Sequence, residues 1–153
     1  MTPSPLNPWT RAAFDVDVSD VEVPATIAMP TTCEPELFFD GDRFLLYIHH
    51  HFEEFDVATF SYSSAGKRLK IRRLITGLPL SRLHGLNFKE HKRVRNNHCK
   101  LFLCYKKDQP VVAYIGSQNL TAGTNINLMV RIDPKYINLM MDFFNQMWTG
   151  KIA

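Results

Sequence analysis

No stretch of about 18 apolar residues runs through the chain, so no membrane-spanning helix is expected. The opening residues, MTPSPLNPWT, supply neither the basic leader nor the apolar core of a secretory signal, and a soluble cytoplasmic protein is the expectation. Cysteine is scarce as well. The three present, Cys33, Cys99 and Cys104, are odd in number and lack the spacing of a metal site. Cys99 and Cys104 would point to opposite faces of one strand, so reduced, buried thiols are expected, with no metal and no cofactor. The triplet His49-His50-His51 does not change this, because consecutive helical residues point about 100° apart and cannot chelate together. Acid is nearly missing from the later part of the chain: residues 57–153 hold 16 Lys/Arg against Glu90, Asp108, Asp133 and Asp142, a local charge of +12.

What is present fits one unit. With 153 residues, 45% of them hydrophobic, the chain can build a single modest core but not two. Residues 1–56 carry the opposite charge, 11 Asp/Glu against Arg11 and Arg43, a local −9. Most of the positive charge falls between Lys67 and Lys107, where 13 Lys/Arg meet only Glu90. That density suits a polyanion whose counterions are released on binding, above all nucleic acid. The candidate contacts are Lys67, Arg68, Lys70, Arg72, Arg73, Lys89, Lys92, Arg93 and Arg95.

Along the chain, residues 1–36 hold six of the nine prolines and read as an acidic, extended arm with one short strand near Val16–Val23; the folded domain is expected over 37–153. From Asp42, a plausible N-cap, Phe44/Leu45, Ile48, Phe52 and Phe55 recur at helical spacing. The alternation in 56–64 and 69–77 predicts two strands around a turn at Ala65-Gly66. The basic stretch 78–97, broken by Pro79 and Gly85, predicts a short helix and a loop. Residues 98–105 and 111–116 flank the turn 106–110 and predict an antiparallel hairpin, and 126–132 predicts a further strand. Asp133 and Pro134 then open a helix whose stripe is Ile137, Met140/Met141, Phe144 and Met147/Trp148, ending before Gly150. The expected class is α/β, a mixed sheet sandwiched by helices.

Within the hairpin, His98 and Lys100 stand two residues apart, and Ser117 and Asn119 share that spacing where the second strand gives way to a turn. Pairing around 106–110 would bring the two sets together. A phosphodiester needs such a group: a nucleophile, a cation for nonbridging oxygens, and neutral donors for the remaining lone pairs.

The run H98-C-K100-LFLCYKKDQPVVAYI-G116-S117-Q-N119-LT resembles the phospholipase D superfamily, whose signature is His-x-Lys followed by Gly-Ser-x-Asn, and it is most similar to the restriction-endonuclease-like branch. The resemblance implies a phospholipase D-like fold and a metal-independent phosphodiesterase. In it, His98 attacks phosphorus to form a phosphohistidine, Lys100 and Asn119 grip the phosphate, and Ser117 supports it. A second histidine must protonate the leaving oxygen. Only one such motif is present, since His91-Lys92-Arg93 lacks a following Gly-Ser-x-Asn, so an identical chain would supply it across a two-fold axis. Such a homodimer would merge two basic regions into one longer groove suited to nucleic acid, with DNA favoured over RNA.

The chain departs from the family pattern twice. The Asp that many members place five residues after the Lys is Tyr105 here, and the Glu that usually follows Gly-Ser-x-Asn is replaced, at its candidate positions, by Asn125 and Asn127. An amide can hold an imidazole tautomer but cannot balance its charge, so Asn125 and Asn127 are expected to be supporting residues, with Glu53, Glu54 or Glu90 as possible substitutes for the carboxylate. A catalytically impaired protein that binds nucleic acid or a partner is therefore the second expectation. Phospholipid chemistry is a weaker third, because lipid-acting relatives have two motifs and apolar membrane-facing segments.

Overall fold

A computed structural model describes residues 37–38, 41–80, 85–121 and 126–152. The expected arm and its strand near Val16–Val23 lie outside these residues. The chain runs through β1 (Leu37–Phe38), α1 (Gly41–His51), β2 (Glu54–Thr59), a 3₁₀ turn (Ser64–Arg68), β3 (Lys70–Thr76), β4 (Asn87–Arg93), β5 (Leu101–Lys106), β6 (Gln109–Gly116), β7 (Met129–Ile132), a second 3₁₀ turn (Pro134–Tyr136) and α2 (Ile137–Trp148).

The seven strands form one sheet in the order β1-β7-β6-β5-β2-β3-β4. The β2–β3 and β3–β4 pairs are parallel and the rest are antiparallel, which makes the sheet mixed. Alternation along the central strands feeds two cores. On one face Phe44, Leu45 and Ile48 of α1 pack on Phe55, Val57, Leu74, Phe102 and Tyr114, with Phe44 set edge-on to Phe102 at 5.0 Å and to Tyr114 at 5.4 Å. On the other, Phe144 and Met147 of α2 pack on Ala58, Ile75, Leu101, Leu103 and Ala113. Strands covered on both faces show nearly continuous burial, as β5 does from Leu101 to Tyr105.

The two helices and the hairpin match their sequence patterns, with shifts that have physical causes. Helix α1 ends at His51, because Phe52 N–H makes the last helical bond to Ile48 (3.0 Å) and Glu54 already pairs with Tyr105. Phe55 therefore belongs to β2, and its helical phase is coincidental. The hairpin turn is only Lys107-Asp108, both left-handed (φ 50° and 61°), so pairing extends to Lys106 and Gln109. Asp133 accepts Lys135 N–H at 3.0 Å, as its capping position predicts.

The stretch 78–97 departs furthest from expectation: Asn87–Arg93 is a strand, not a helix and loop. β4 lies at the sheet edge and, apart from half-buried Phe88, is polar or charged throughout, a composition that blunts unwanted pairing and hides the strand from hydropathy.

The glycine at position 116 is fixed by close approach. A Cβ on Gly116 would collide with the Leu128 carbonyl oxygen where β6 meets β7. Gly116→Ala is expected to destabilise the fold by about 2–3 kcal/mol, read as a lower urea midpoint at unchanged m value.

Candidate active site

The carboxyl ends of β2, β3, β4 and β6 and the start of β5 lie at one end of the sheet. The chain leaves β2 toward β3 and β4 on one side and returns to β5 on the other. The crevice beyond such a switch of direction is where open α/β sheets place their ligands. The residues beyond the end of β2, Thr59 to Ser61, organise this end.

Asn119 Oδ1 accepts from Phe60 N–H and Ser61 N–H, each at 3.1 Å, and lies 3.1 Å from the Thr59 hydroxyl. Two N–H donors fix this oxygen, the single proton of the Thr59 hydroxyl going to the closer Ser61 carbonyl, so the amide NH₂ faces away from the turn as a donor pair for a ligand oxygen. The fully buried Thr59 hydroxyl also receives Leu120 N–H at 3.0 Å and lies 2.6 Å from the Ser61 carbonyl. Thr59→Val would orphan these groups, and an expected loss of about 1–3 kcal/mol can be read by thermal denaturation.

His98 meets the same turn. Its exposed imidazole stacks on Phe60 with centroids 4.4 Å apart and planes 12° from parallel. Asn97, buried, ties the main chain down on both sides: its Nδ2 donates to the Thr59 carbonyl (3.1 Å), and its Oδ1 accepts Cys99 N–H (3.1 Å). Strand β5 begins only at Leu101, so His98 and Lys100 precede the strand rather than lie in it. Lys100 Nζ donates to the His98 carbonyl at 2.7 Å, and Lys100 and Gly116 border a common cavity of about 420 Å³ floored by Leu101, Ile115, Met140 and Phe143. Ser117 bridges the base of the following loop: its hydroxyl donates to Asn127 Oδ1 (3.0 Å) and accepts Leu128 N–H (2.9 Å). The 59–61 turn thus touches both His98 and Asn119, while Lys100 and Gly116, the residue before Ser117, adjoin through the cavity.

Of the candidate supporting residues, one adjoins the site. Asn127 bonds to Ser117, and Asn125 lies outside the described residues. Glu54 pairs with Tyr105, four rungs from the Ala58–Leu101 pair, roughly 13 Å along the strand, and Glu53 accepts Lys107 N–H at that far end. Glu90 sits opposite Arg73 in mid-sheet. None of these three acids takes the carboxylate's place beside His98.

The basic block does not form one surface. Parallel strands carry consecutive residues from one end of the sheet to the other, so Lys70, Arg72 and Lys89 lie near the hairpin turn, away from the site, where Arg72 faces Asp108 (3.7 Å) and Lys89 faces Glu54 (3.6 Å). Lys67 and Arg68 are exposed on the 3₁₀ turn. Arg93 and Arg95 are exposed at the site end, where Arg93 Nε reaches the Gly77 carbonyl (3.4 Å). Lys92 caps the carboxyl end of α2 through the Trp148 carbonyl (2.6 Å). Arg73 is held by Asp56 and Asn145. The linear run had concealed this division.

Two residues that carry weight, Asp56 and Phe60, left no sign in the sequence. Asp56 is fully buried, receives Arg73 through two bonds (2.9 and 3.3 Å) and takes the Tyr105 hydroxyl at 2.5 Å. Burial lowers the Arg73 pKa, but its bond and charge pairing with Asp56 outweigh this and raise it; burial, then the bond to Asp56, push Tyr105 well above an ordinary phenol. Tyr105, standing where many phospholipase D-like chains have Asp, is thus a core residue. Burial also raises the Cys99 thiol to about 12, which leaves it protonated at neutral pH.

His91 lies on the site side of β4. The Thr76 hydroxyl has the Leu78 carbonyl at 2.6 Å as its acceptor, so His91 Nε2, 2.7 Å away, donates to Thr76. Burial lowers the His91 pKa from 6.5. The unfolded chain therefore binds this proton first as pH falls, and the contribution of His91 is complete above pH 6.5 and lost below it. Thermal midpoints should fall between pH 7 and pH 5, and less so in His91→Gln.

No protein-family model matches the sequence, and no curated protein is similar to it in sequence. Solved structures are similar in fold. NucT from Helicobacter pylori superposes with a TM-score of 0.52 at 15% identity, over 76% of this chain and 96% of its own. TrmBL2, an archaeal chromatin protein whose structure shows a novel mode of DNA binding, also reaches 0.52, at 10% identity, over 92% of this chain and 62% of its own. The fold is the phospholipase D-like one, a mixed sheet between helices, as the motif implies. Among the described residues no helix is long and apolar enough to cross a membrane.

Proposed function

We propose that this chain is a metal-independent endonuclease that hydrolyses DNA through a phosphohistidine intermediate at a site shared by two copies. The observation that carries the proposal is the meeting of His98 and Asn119 on the 59–61 turn, at the end of the sheet where Lys100 and Ser117 also lie. A nitrogen of His98 attacks phosphorus, the bond to the leaving oxygen breaks, and that oxygen takes a proton from the imidazolium of the partner subunit's His98. The same imidazole, now neutral, takes a proton from water as the water attacks phosphorus and the P–N bond breaks. Lys100 and the Asn119 NH₂ bind nonbridging oxygens as charge shifts onto them. Arg93 and Arg95 extend the positive surface at this end for the flanking phosphates.

The test is digestion of plasmid and single-stranded DNA in excess EDTA. Cleavage should persist, and strict dependence on added Mg²⁺ would sink the mechanism. A second reading, DNA binding without turnover, is favoured by the absence of a carboxylate bonded to His98 among the described residues and by the engagement of Asn127 with Ser117. In that case affinity for DNA would be retained with no product formed under any of these conditions.

A further inference from the structure

An imidazole that acts as nucleophile must present one nitrogen edge-on to phosphorus, and a solvent-exposed ring turns freely about its χ2 unless something holds its plane. Phospholipase D-like chains commonly assign this task to a carboxylate; here Asn127 bonds to Ser117, and Glu53, Glu54 and Glu90 are too far along the sheet. The contact His98 does make is with an aromatic face. Phe60 lies 4.4 Å from the imidazole and 12° from parallel, so the phenyl ring covers one face and does not itself block the in-plane edge that carries the nitrogens.

Phe60 is itself held from below. A Cβ on Gly77 would run into the Phe60 ring, so the glycine makes room for it. Gly77 N–H lies 3.1 Å from both the Thr59 and the Phe60 carbonyls, and Leu78 N–H donates to the latter at 3.1 Å. Asn97 locks the backbone on the other side of the stack to the same Thr59 carbonyl at 3.1 Å. Glycine floor, phenyl ring and imidazole therefore form a stack whose supports are tied together by main-chain bonds.

We infer that Phe60 is the positioning residue of the nucleophile, fixing the plane of His98 by stacking in place of an orienting carboxylate. The inference rests on the hydrolase reading above for its kinetic consequence, but the stack can be observed without it. In solution, NOEs should connect the Phe60 ring protons with those of the His98 imidazole. In Phe60→Leu the His98 ring protons should move downfield as the ring current is lost. On DNA, Phe60→Leu should lower kcat by about 10- to 100-fold with KM within about twofold, and Phe60→Tyr should restore most of it.

Missing NOEs in the wild-type protein would overturn the inference even if the variants failed to fold. So would Phe60→Leu with unaltered His98 signals, or with unaltered kcat in a protein that cleaves DNA, and either result would leave the hydrolase reading standing. Expected NOEs and shifts in a protein that cleaves nothing would support the stack as the hold on His98 and discard the hydrolase reading instead.

Discussion

His98→Ala is expected to lower DNA cleavage by about 10⁴-fold or more while changing DNA affinity by less than about threefold. The large first effect follows because neighbouring groups are poor substitutes: the Thr59 hydroxyl is buried against the Ser61 carbonyl and Leu120 N–H, Ser117 is occupied by Asn127 and Leu128, and Cys99 keeps its proton because burial raises it to about 12. The small second effect follows because the grip on phosphate is assigned to Lys100 and Asn119, which this substitution leaves in place. Single-turnover cleavage and filter binding, measured on the same preparation, separate the two. Equal loss in both measurements would make His98 a binding residue and end its assignment as nucleophile. A denaturing alkaline quench, in which a P–N bond survives, should show DNA joined to the wild-type protein through a phosphoryl group and none on the variant.

Asp56→Ala is expected to remove about 3–5 kcal/mol of stability, the largest effect of any polar substitution in the fold. The carboxylate is fully buried and bonds to both Arg73 and Tyr105. Its removal leaves a half-buried guanidinium stacked near Phe144 and a phenol without its acceptor, rather than simply deleting one contact. Equilibrium urea denaturation reads the loss directly. The paired change Asp56→Leu with Arg73→Met should recover much of it, since the cost lies in the unpaired charge more than in the missing ion pair. Because Asp56 sits in mid-β2, three residues before Thr59 and facing Arg73 and Tyr105 rather than the turn, any protein that remains folded should keep its DNA affinity.

How much of this was legible in the sequence depends on the range of each interaction. His98, Lys100, Ser117 and Asn119 could be picked out because two short spacings are local and carry their chemistry on their face. Helix α2 was legible through its stripe, and the hairpin through two apolar runs around polar residues. β4 was not, since an edge strand of Asn, Lys, Glu, His and Arg around the single Phe88 has no hydrophobic alternation to detect. The hub at Thr59 and Phe60 lies some forty residues before the motif and joins it only through tertiary contacts, which no single-sequence pattern encodes. Charge summed along the chain gives no hint of the division of the basic block, whereas parallel strands sort sequence neighbours toward opposite ends.

The polar rim along β4 has a consequence for assembly. A bare sheet edge is an invitation to grow: a further strand can dock on it, then another, without limit. Lys89, Glu90, Lys92 and Arg93 set mixed charges along that edge, so a second molecule approaching in register would bring like charges face to face. The charged β4 edge therefore disfavours open-ended growth of the sheet on that side.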